Sequence, residues 1–432
     1  MEVKDLINRD IVCSCGRIHR CDINSLCIEE GALEKLPELL ETRKNILLVA
    51  DSNTYSICGE RVHDLICEKI ADVCVFDTDG KILVPDEKSI DILDSHTTAT
   101  TDLILGIGSG VINDLCKYVS FAHKISCGII ATAPSMDGYA SSGAAMIIEG
   151  MKVTYTTHAP EIIIGDTDIL KNAPMDMIRS GYGDIIGKYS SLNDWKLANL
   201  ICGEYLCPYI YDIVLKTTDD IRDSVSDIVA RDSVAIEKLM NALVLIGMTL
   251  TFVETTRPGS GSEHHLSHFF EIVGLIKNEK HFSHGTDVAY NTIVTAAVRE
   301  KIRSLDEPVF CEESKTEREK AWEDIYGKIA DEVKELQKES GMYARDMKPI
   351  YTEKWNEIRS ILSECPTADE CNSMMRAAGF SFSEYENLYG EEKIQNAVTY
   401  GKDLKNRYSV LWIFYTLFSG KKQTVDFFTL DR

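Results

Sequence analysis

The order of apolar and polar positions over the first 165 residues predicts alternating strands and helices. Predominantly apolar runs occur at 45–50, 72–76, 102–106 and 126–131, and each has the length of a strand that is buried on both faces of a sheet. Stretches with helical periodicity separate these runs. The alternation is typical of βαβ units, so it predicts an α/β domain built on a parallel sheet.

The pattern changes near residue 165. Apolar runs at 144–149 and 161–166 flank a polar segment, which predicts a hairpin or further strands. From about Asp168 onward the periodicity is helical, without convincing strands. We therefore predict two domains, an α/β nucleotide-binding domain at 1–165 and an all-helical domain at 166–432. The charged segment 312–340 predicts an amphipathic helix with a solvated face.

Composition narrows the class of protein. The chain has 432 residues, of which 44% are hydrophobic and 27% charged, as in a globular protein with a large core. Its net charge of −23 argues against nucleic acid or an anionic membrane surface as the main partner. The first ten residues hold no apolar signal segment, and the late apolar run at 410–418 is too short to span a bilayer. Fourteen scattered cysteines then predict reduced thiols and a cytoplasmic location.

One cluster near the N-terminus has two interpretations. The stretch CSCGRIHRC contains Cys13, Cys15, His19 and Cys21, all of which are possible zinc ligands. The Cys-x-Cys spacing is tighter than is usual for structural zinc. The simpler interpretation is a turn between two short strands, and a metal site is the alternative.

A glycine-rich turn follows the third predicted strand in GIGSGVINDLCKY. Gly106, Gly108 and Gly110 let backbone amides approach an anion, and a helix from about Val111 would direct its N-terminus at a phosphate. This context predicts a nucleotide site. The spacing is not GxGxxG, however, and glycine-rich turns without a ligand are common.

The fourth predicted strand leads into TAPSMDGYASSGA, which is rich in small hydroxyl residues around the single acid Asp137. Loops at the carboxyl ends of parallel strands are where open α/β sheets bind ligands. The alternative is a hydrogen-bonded turn in which Asp137 caps a helix.

Histidines concentrate in RPGSGSEHHLSHFFE and the HFSHGTD that follows it. Five of the ten histidines fall here, namely His264, His265, His268, His281 and His284. His264 and His268 are four residues apart on a predicted helix, which puts both on one face. Converging imidazoles suit zinc or nickel. A helix surface that is merely rich in histidine is the alternative.

Asp184 in GYGDIIGKYSSLNDWKLA is a candidate oxygen ligand. It follows a Gly-x-Gly turn and is predicted in the first turn of a helix, where it could also act only as a cap. With His264 and His284 it would complete a set of one carboxylate and two histidines. Three protein ligands leave room for substrate, as in a catalytic metal site.

The motifs GIGSGVIND, TAPSMDGYASS, GYGDIIGKYSSLNDWKLA and RPGSGSEHHLSHFFE together resemble the bacterial branch of the sn-glycerol-1-phosphate dehydrogenase family. The wider group contains glycerol dehydrogenase, iron-type alcohol dehydrogenases and dehydroquinate synthase. The resemblance runs from the first strand to about residue 290. It implies an N-terminal Rossmann-like α/β domain and an all-α metal-binding and substrate domain, as in dehydroquinate synthase.

The resemblance also implies an NAD(P) site and one divalent metal, zinc or nickel. The residues matched to the nucleotide site are Asp51, Gly108, Ser109, Gly110, Val111, Ile112, Asn113, Asp114, Thr132, Ser135 and Ser141. An acid at Asp51 favours NAD over NADP. The residues matched to the metal are Asp184, His264 and His284; those matched to substrate contact and proton relay are Asp137 and His268. His281 is an alternative to His284, although Gly285 favours the latter.

The function that the resemblance implies is the reversible, metal-dependent and NAD(P)H-linked reduction of dihydroxyacetone phosphate to sn-glycerol 1-phosphate. The metal would polarise the ketone and stabilise the developing alkoxide. Arg257, Lys188 and His265 are candidate contacts for the substrate phosphate because they are the cationic residues nearest the motifs. A homodimer is expected on general grounds.

Three alternatives remain from the sequence. A dehydrogenase of the same fold could act on a non-phosphorylated polyol. A lyase of the dehydroquinate-synthase kind would have a glutamate as first metal ligand and an LNFGHTxGH signature, whereas this chain has Asp184 and GSEHHLSH. A non-catalytic protein that binds metal and nucleotide would keep the ligands without turnover.

Overall fold

The computed structural model describes residues 3–80, 82–149 and 151–419. Contacts between residues divide the chain into two units. Unit 1 comprises Met1–Ile185 and Asp223–Thr255, and unit 2 comprises Ile186–Arg222 and Thr256–Arg432.

The strands all precede the helical part of the chain. They are β1 Ile11–Val12, β2 Ile18–His19, β3 Ser25–Glu29, β4 Ile46–Asp51, β5 Ile70–Phe76, β6 Leu103–Gly108, β7 Ser126–Ala131, β8 Gly143–Ile148, β9 Met151–Thr156 and β10 Ile162–Asp166. The α-helices are α1 Leu36–Leu39, α2 Ser52–Thr54, α3 Glu60–Ile66, α4 Glu87–His96, α5 Gly110–His123, α6 Thr167–Leu170, α7 Met175–Ile186, α8 Lys188–Cys202, α9 Pro208–Arg222, α10 Val225–Val229, α11 Ser233–Val253, α12 Ser262–Lys277, α13 His284–Arg303, α14 Lys315–Tyr326, α15 Ala330–Ser340, α16 Lys348–Glu353, α17 Trp355–Leu362, α18 Ala368–Ala377, α19 Phe382–Tyr400 and α20 Val410–Phe418.

A six-stranded parallel sheet forms the centre of unit 1, in the order β3-β10-β7-β6-β4-β5. Its strands β4, β6 and β7 are buried except for one half-buried end residue each of β4 and β7, which explains their continuous apolar runs. The four predicted strands are confirmed, and the two later apolar runs form the β8–β9 hairpin and β10. The edge strand β3 was not predicted, because SLCIE is short and has no clear run of apolar residues.

The order of the strands reverses direction beside β4. The chain passes from β4 to β5 on one side and then returns to β6 on the other side of β4. In an open parallel sheet, the carboxyl ends of the two strands at such a point flank the ligand crevice. Here those ends are Asp51 on β4 and Gly108 on β6. The topology therefore predicts that a ligand binds at this edge of the sheet.

Unit 1 extends beyond the predicted boundary near residue 165. Strands do end at Asp166, but α6, nearly all of α7, α10 and α11 also belong to unit 1. The reason is close packing of α11: a Cβ on Gly247 would lie 2.6 Å from the Asp137 carbonyl oxygen. Helical periodicity alone does not reveal which partner a helix packs against. Among the described residues, α11 is the one helix long and apolar enough to cross a membrane, and 72% of its apolar stretch is buried.

Unit 2 is helical throughout its described residues, as predicted. The segment 312–340 forms two helices, so the prediction of one continuous helix is wrong. α14 ends at Tyr326, Gly327 has φ +51, and α15 begins at Ala330. α14 does have one buried face, as an amphipathic helix should, since the Trp322 indole donates to Asp403 at 2.8 Å.

Candidate active site

The glycine-rich turn connects β6 to α5 at the carboxyl edge of the sheet. A Cβ on Gly108 would lie 2.7 Å from the Ile112 Cβ, so this glycine lets the helix pack against its own strand. A Cβ on Gly110 would only touch Met136, at 3.4 Å. The cap residue Ser109 makes no side-chain hydrogen bond to the helix. The first-turn amides of α5 are thus not capped by this serine, as suits a phosphate ligand.

Asp51 lies at the end of β4 and begins α2. Its Oδ1 accepts hydrogen bonds from the backbone amides of Asn53 at 2.8 Å and Thr54 at 2.9 Å, and Thr54 closes a capping box. The residue predicted to meet a ribose is therefore also a helix cap. Both capping bonds fall on Oδ1, so Oδ2 is the oxygen that can face a ligand.

Polar residues on α5 hold the loop after β7. Asn113 donates to the Gly138 carbonyl at 3.3 Å, and Asp114 accepts from the Ala145 amide at 3.1 Å. The buried Lys117 pairs with Asp114 at 2.9 Å and donates to the Gly138 carbonyl at 3.2 Å. These contacts make Asn113, Asp114 and Lys117 positioning residues for the loop. Lys117 was not predicted; its signal was a lysine three residues after an acid on an otherwise apolar helix.

The hydroxyl residues of this loop are buried at the same edge of the sheet. The Thr132 amide donates to the Gly108 carbonyl at 3.0 Å, which ties the loop to the glycine-rich turn. Ser141 Oγ donates to the Gly138 carbonyl at 3.1 Å, and the Ser135 carbonyl accepts from Ser180 Oγ at 3.1 Å. The structure therefore brings the predicted nucleotide-binding residues of three segments to one edge.

Asp184 is not in the first turn of a helix, so that prediction is wrong. It is the tenth of the twelve residues of α7. The Gly-x-Gly sequence lies inside the helix, where the lack of a side chain lets the helix pass very close to the loop after β7. A Cβ on Gly181 would lie 1.9 Å from the Pro134 carbonyl oxygen. The glycine thus serves close approach rather than a turn.

The Asp137 loop is tied to Asp184. The Asp137 backbone amide donates to Asp184 Oδ2 at 2.9 Å, and Asp184 is fully buried. Asp137 does not cap a helix, so the capping alternative is wrong: the preceding Met136 occupies that position and its sulfur accepts from the Gly138 amide. The Asp137 side chain is half-buried.

Three histidines converge in unit 2 where α12 and α13 meet. The ring centroid of His284 lies 5.0 Å from that of His264 and 5.6 Å from that of His268. The His264 and His268 rings are 6.3 Å apart on the same face of α12, as predicted. His264 and His284 offer nitrogen atoms within 4.8 Å of each other. α13 begins at His284 itself.

A buried carboxylate orients His264. Glu263 Oε1 accepts a hydrogen bond from His264 Nδ1 at 2.7 Å, and Glu263 is fully buried. Burial opposes ionisation of Glu263, but hydrogen bonds with His264 and Ser190 and from the Gly261 amide outweigh it, so its pKa is lowered. This bond places the proton of a neutral His264 on Nδ1 and leaves Nε2 with the lone pair. A carboxylate behind a histidine is the usual outer contact of a metal ligand. Sequence reasoning passed over Glu263.

The start of α12 is fixed by a second buried pair. Asp194 accepts from the Ser262 amide at 2.6 Å and from the Val410 amide at 2.9 Å. Arg299 on α13 pairs with Asp194 at 3.0 Å and donates to Asn193 at 3.0 Å. The SSLNDWKLA motif therefore contacts both α12 and α13 and holds them together. No pattern in its sequence indicates this role.

The remaining histidine candidate and the candidate phosphate contacts are engaged elsewhere. His281 is exposed and its Nδ1 bonds to the Phe282 carbonyl. Arg257 pairs with Glu204 and donates to the Tyr408 carbonyl at 2.6 Å. Lys188 donates to the Gly259 carbonyl at 2.9 Å. Burial lowers the pKa of His265 well below its usual value, so it is neutral. These contacts do not support the prediction that Arg257, Lys188 or His265 binds phosphate.

A cleft of about 850 Å³ in unit 1 lies away from this chemistry. Ser126 and Glu161, at the amino ends of β7 and β10, line it together with Arg20 and His158. None of the predicted site residues does. Ligands of open α/β sheets bind at the opposite, carboxyl edge, so we do not assign the substrate to this cleft.

Solved structures define the class of fold. Glycerol dehydrogenase from Schizosaccharomyces pombe superposes with a TM-score of 0.55 over 90% of this chain and 94% of its own, at 16% identity. A sequence model described as iron-containing alcohol dehydrogenase matches residues 27–174. The chain thus has the fold of the iron-containing alcohol dehydrogenases, a parallel sheet followed by helices.

Curated relatives of similar sequence identify the family more specifically than the fold does. The glycerol-1-phosphate dehydrogenase [NAD(P)+] of Halalkalibacterium halodurans is 32% identical over 66% of this chain and 73% of the relative. The enzyme of the same name from Bacillus licheniformis is 28% identical over 94% of this chain and 93% of the relative. The chain belongs to the glycerol-1-phosphate dehydrogenase family and is an oxidoreductase.

Proposed function

We propose that this protein catalyses the reversible NAD(P)H-linked reduction of dihydroxyacetone phosphate to sn-glycerol 1-phosphate, with a divalent metal held by Asp184, His264 and His284. The observation that carries the proposal is the buried Glu263–His264 pair, which prepares His264 Nε2 beside the His284 ring. The names of the relatives support the choice of substrate and cofactor.

The donors fit a zinc or nickel ion. Two imidazoles and one carboxylate form a borderline set of ligands, and the Asp137 amide already orients the Asp184 carboxylate. The metal, when bound, acts as a Lewis acid toward the ketone oxygen of the substrate. Outer contacts such as Glu263 hold the histidine ligand in one tautomer and one orientation.

The carboxyl edge of the sheet fits a dinucleotide. The first-turn amides of α5, from Gly110 to Ile112, bind the pyrophosphate at the helix N-terminus. Asp51 Oδ2 accepts from a ribose hydroxyl while Oδ1 keeps capping α2, which favours NADH over NADPH. Thr132, Ser135 and Ser141 line the same edge. The nicotinamide supplies the hydride.

Proton transfer to the product oxygen falls to His268 or Asp137. Both side chains are half-buried, which leaves each partly open to solvent and substrate. His268 also lies 5.6 Å from the His284 ring, so it stands next to the proposed metal ligands. The substrate phosphate falls to backbone amides and to hydroxyl or amide side chains, because the three candidate cations are engaged or neutral. A homodimer and a cytoplasmic location stay predictions.

The test compares substrates and product chirality. Purified protein with zinc or nickel should oxidise NADH with dihydroxyacetone phosphate, and the product should be the sn-1 enantiomer. Dihydroxyacetone, which lacks the phosphate, is the matched control and should be turned over at least about 100-fold less efficiently, since a site built for an anion is left unpaired. Equal turnover of both ketones would favour a polyol dehydrogenase. Metal and nucleotide binding without turnover of either would favour a non-catalytic protein.

A further inference from the structure

The N-terminal hairpin of unit 1 is too short for its strand pairing alone to order it. β1 and β2 have two residues each and pair Ile11 with His19 and Val12 with Ile18. The second pair faces solvent, with Val12 84% and Ile18 62% exposed. A hairpin this short is marginal in water even with a buried apolar face. Arg20 adds hydrogen bonds to Asp10 at 3.1 Å and to Asn8 at 3.0 Å, but these exposed contacts contribute little stability.

The turn of the hairpin gathers possible metal ligands. The Gly16 amide donates to the Cys13 carbonyl at 3.0 Å and the Cys13 amide to the Arg17 carbonyl at 3.1 Å. Gly16 has φ +86, a conformation that favours glycine. This tight turn brings donor atoms of Cys13, Cys15 and His19 within 4.8 Å of one another. The short Cys-x-Cys spacing is therefore compatible with convergence.

His19 is prepared as a ligand in the same way as His264. Its Nδ1 lies 2.8 Å from the Phe252 carbonyl oxygen, near the end of α11, and the ring is fully buried. A carbonyl only accepts, so Nδ1 carries the proton and Nε2 has the lone pair. A backbone carbonyl behind the histidine is a common outer contact of zinc ligands.

The spacing of sulfur and nitrogen matches a shared metal. Cys15 Sγ lies 3.5 Å from His19 Nε2. Two ligands of a tetrahedral zinc, with bonds of about 2.3 Å to sulfur and about 2.0 Å to nitrogen, are separated by about 3.5 Å. A simple thiol–imidazole hydrogen bond has the same length, so the distance requires an experiment to decide between them.

We propose that Cys13, Cys15 and His19 supply three of the four ligands of a structural zinc ion, which orders the N-terminal hairpin while His19 ties it to α11. On binding, the two thiols lose two protons, and the thiolates and the neutral imidazole donate to the metal. Cys21, the fourth candidate from the sequence, is outside this group of donors. The site is distinct from the proposed catalytic metal, and its existence does not depend on the activity.

The first experiment counts zinc by mass spectrometry in a His264→Ala background, which weakens the proposed catalytic site. Adding Cys13→Ser and Cys15→Ser should remove one zinc per chain. Adding Cys67→Ser, an exposed cysteine of the same unit, should remove none. Equal zinc content in the two proteins would overturn the proposal and leave a hairpin held by hydrogen bonds.

A second measurement serves if the serine variant does not fold. Cobalt is substituted for zinc in the His264→Ala protein, and the near-ultraviolet sulfur-to-cobalt band is recorded. X-ray absorption of the zinc form then counts sulfur atoms at about 2.3 Å. The proposal expects the band and at least two sulfur atoms per zinc. Absence of the band, or a shell of nitrogen and oxygen only, contradicts it.

Discussion

The two clusters of candidate metal ligands in this chain each orient a histidine by a hydrogen bond at Nδ1, but they serve different roles. In unit 2, His264 Nδ1 bonds to the buried carboxylate of Glu263, and in unit 1, His19 Nδ1 bonds to the carbonyl of Phe252. Each bond fixes the tautomer, with the proton on Nδ1 and the lone pair on Nε2. The outer partner of His264 is a carboxylate and that of His19 is a neutral carbonyl, and each orients its ring.

The surroundings of the clusters differ more than the histidines do. The unit 2 cluster lies on two long helices, which the buried ion pair of Asp194 and Arg299 holds together. The unit 1 cluster lies on the turn between two strands of two residues and on the second of these strands, and it contributes sulfur. Nitrogen and oxygen donors on a rigid scaffold suit a metal that must accept substrate, while thiolates on a weak scaffold suit a metal that supplies the stability. The variants below are chosen to separate these roles.

The largest expected effect is the loss of turnover in His264→Ala. We expect kcat to fall about 1000-fold or more, because several kcal/mol of electrostatic stabilisation disappear with the metal. Cys13→Ser with Cys15→Ser should instead lower Tm by several degrees. Rates at saturating dihydroxyacetone phosphate and thermal unfolding curves measure both effects. The contrast breaks down if the hairpin variant loses turnover at a temperature where it is folded.

We expect the second largest effect, a loss of stability and of metal binding, for Gly181→Ala. The added methyl group would lie 1.9 Å from the Pro134 carbonyl oxygen, so α7 must move away from the loop that orients Asp184. Overpacking of this kind costs about 1–3 kcal/mol of unfolding free energy. We also expect weaker binding of the catalytic metal. Denaturant unfolding and metal titration of the variant provide the measurements, and wild-type metal affinity would show that this close approach does not position Asp184.

Glu263→Gln should weaken metal binding without abolishing activity. The amide keeps an acceptor near His264 Nδ1 but removes the buried charge, and loss of such an outer contact typically costs 10–100-fold in metal affinity. Excess metal should restore much of kcat. Glu279→Gln, which alters only an exposed pair with Lys393, is the matched control. An unchanged dissociation constant for Glu263→Gln would remove Glu263 from the account of the site.

The smallest effect concerns Cys21 and alkaline pH. Burial raises the pKa of this thiol to about 12, and the nearby Asp22 charge adds to the shift. Between pH 9 and 12 the unfolded chain loses a proton that the folded chain keeps, so stability falls as pH rises through this range. We expect a loss of about 1 kcal/mol between pH 8 and 10 in wild type relative to Cys21→Ser. Parallel curves for the two proteins would contradict this assignment.

The sequence predicted the fold where burial leaves a direct pattern. β4, β6 and β7 are continuous apolar runs because they are covered on both faces, and His264 and His268 share a face because the helix repeats every 3.6 residues. Many residues of the site could thus be assigned to strands and helices from the sequence alone.

Contacts between residues that are far apart in the chain could not be predicted from the sequence. The Gly-x-Gly before Asp184 looked like a turn, because nothing local shows that Gly181 faces the Pro134 carbonyl. Arg257 looked like a phosphate contact, because its partner Glu204 lies more than fifty residues away in the chain. Glu263 was overlooked beside two histidines for a similar reason, since burial and not spacing makes it a partner of His264.

The most direct test of the central claim is a metal titration that records bound metal and turnover together. Chelated wild-type protein is supplied with zinc or nickel, and NADH oxidation with dihydroxyacetone phosphate is followed at each step. We predict that turnover rises with occupancy of one site per chain, and that His264→Ala and Asp184→Ala stay inactive at every metal concentration. Full turnover by metal-free protein, or by either variant, would contradict the proposed role of these residues.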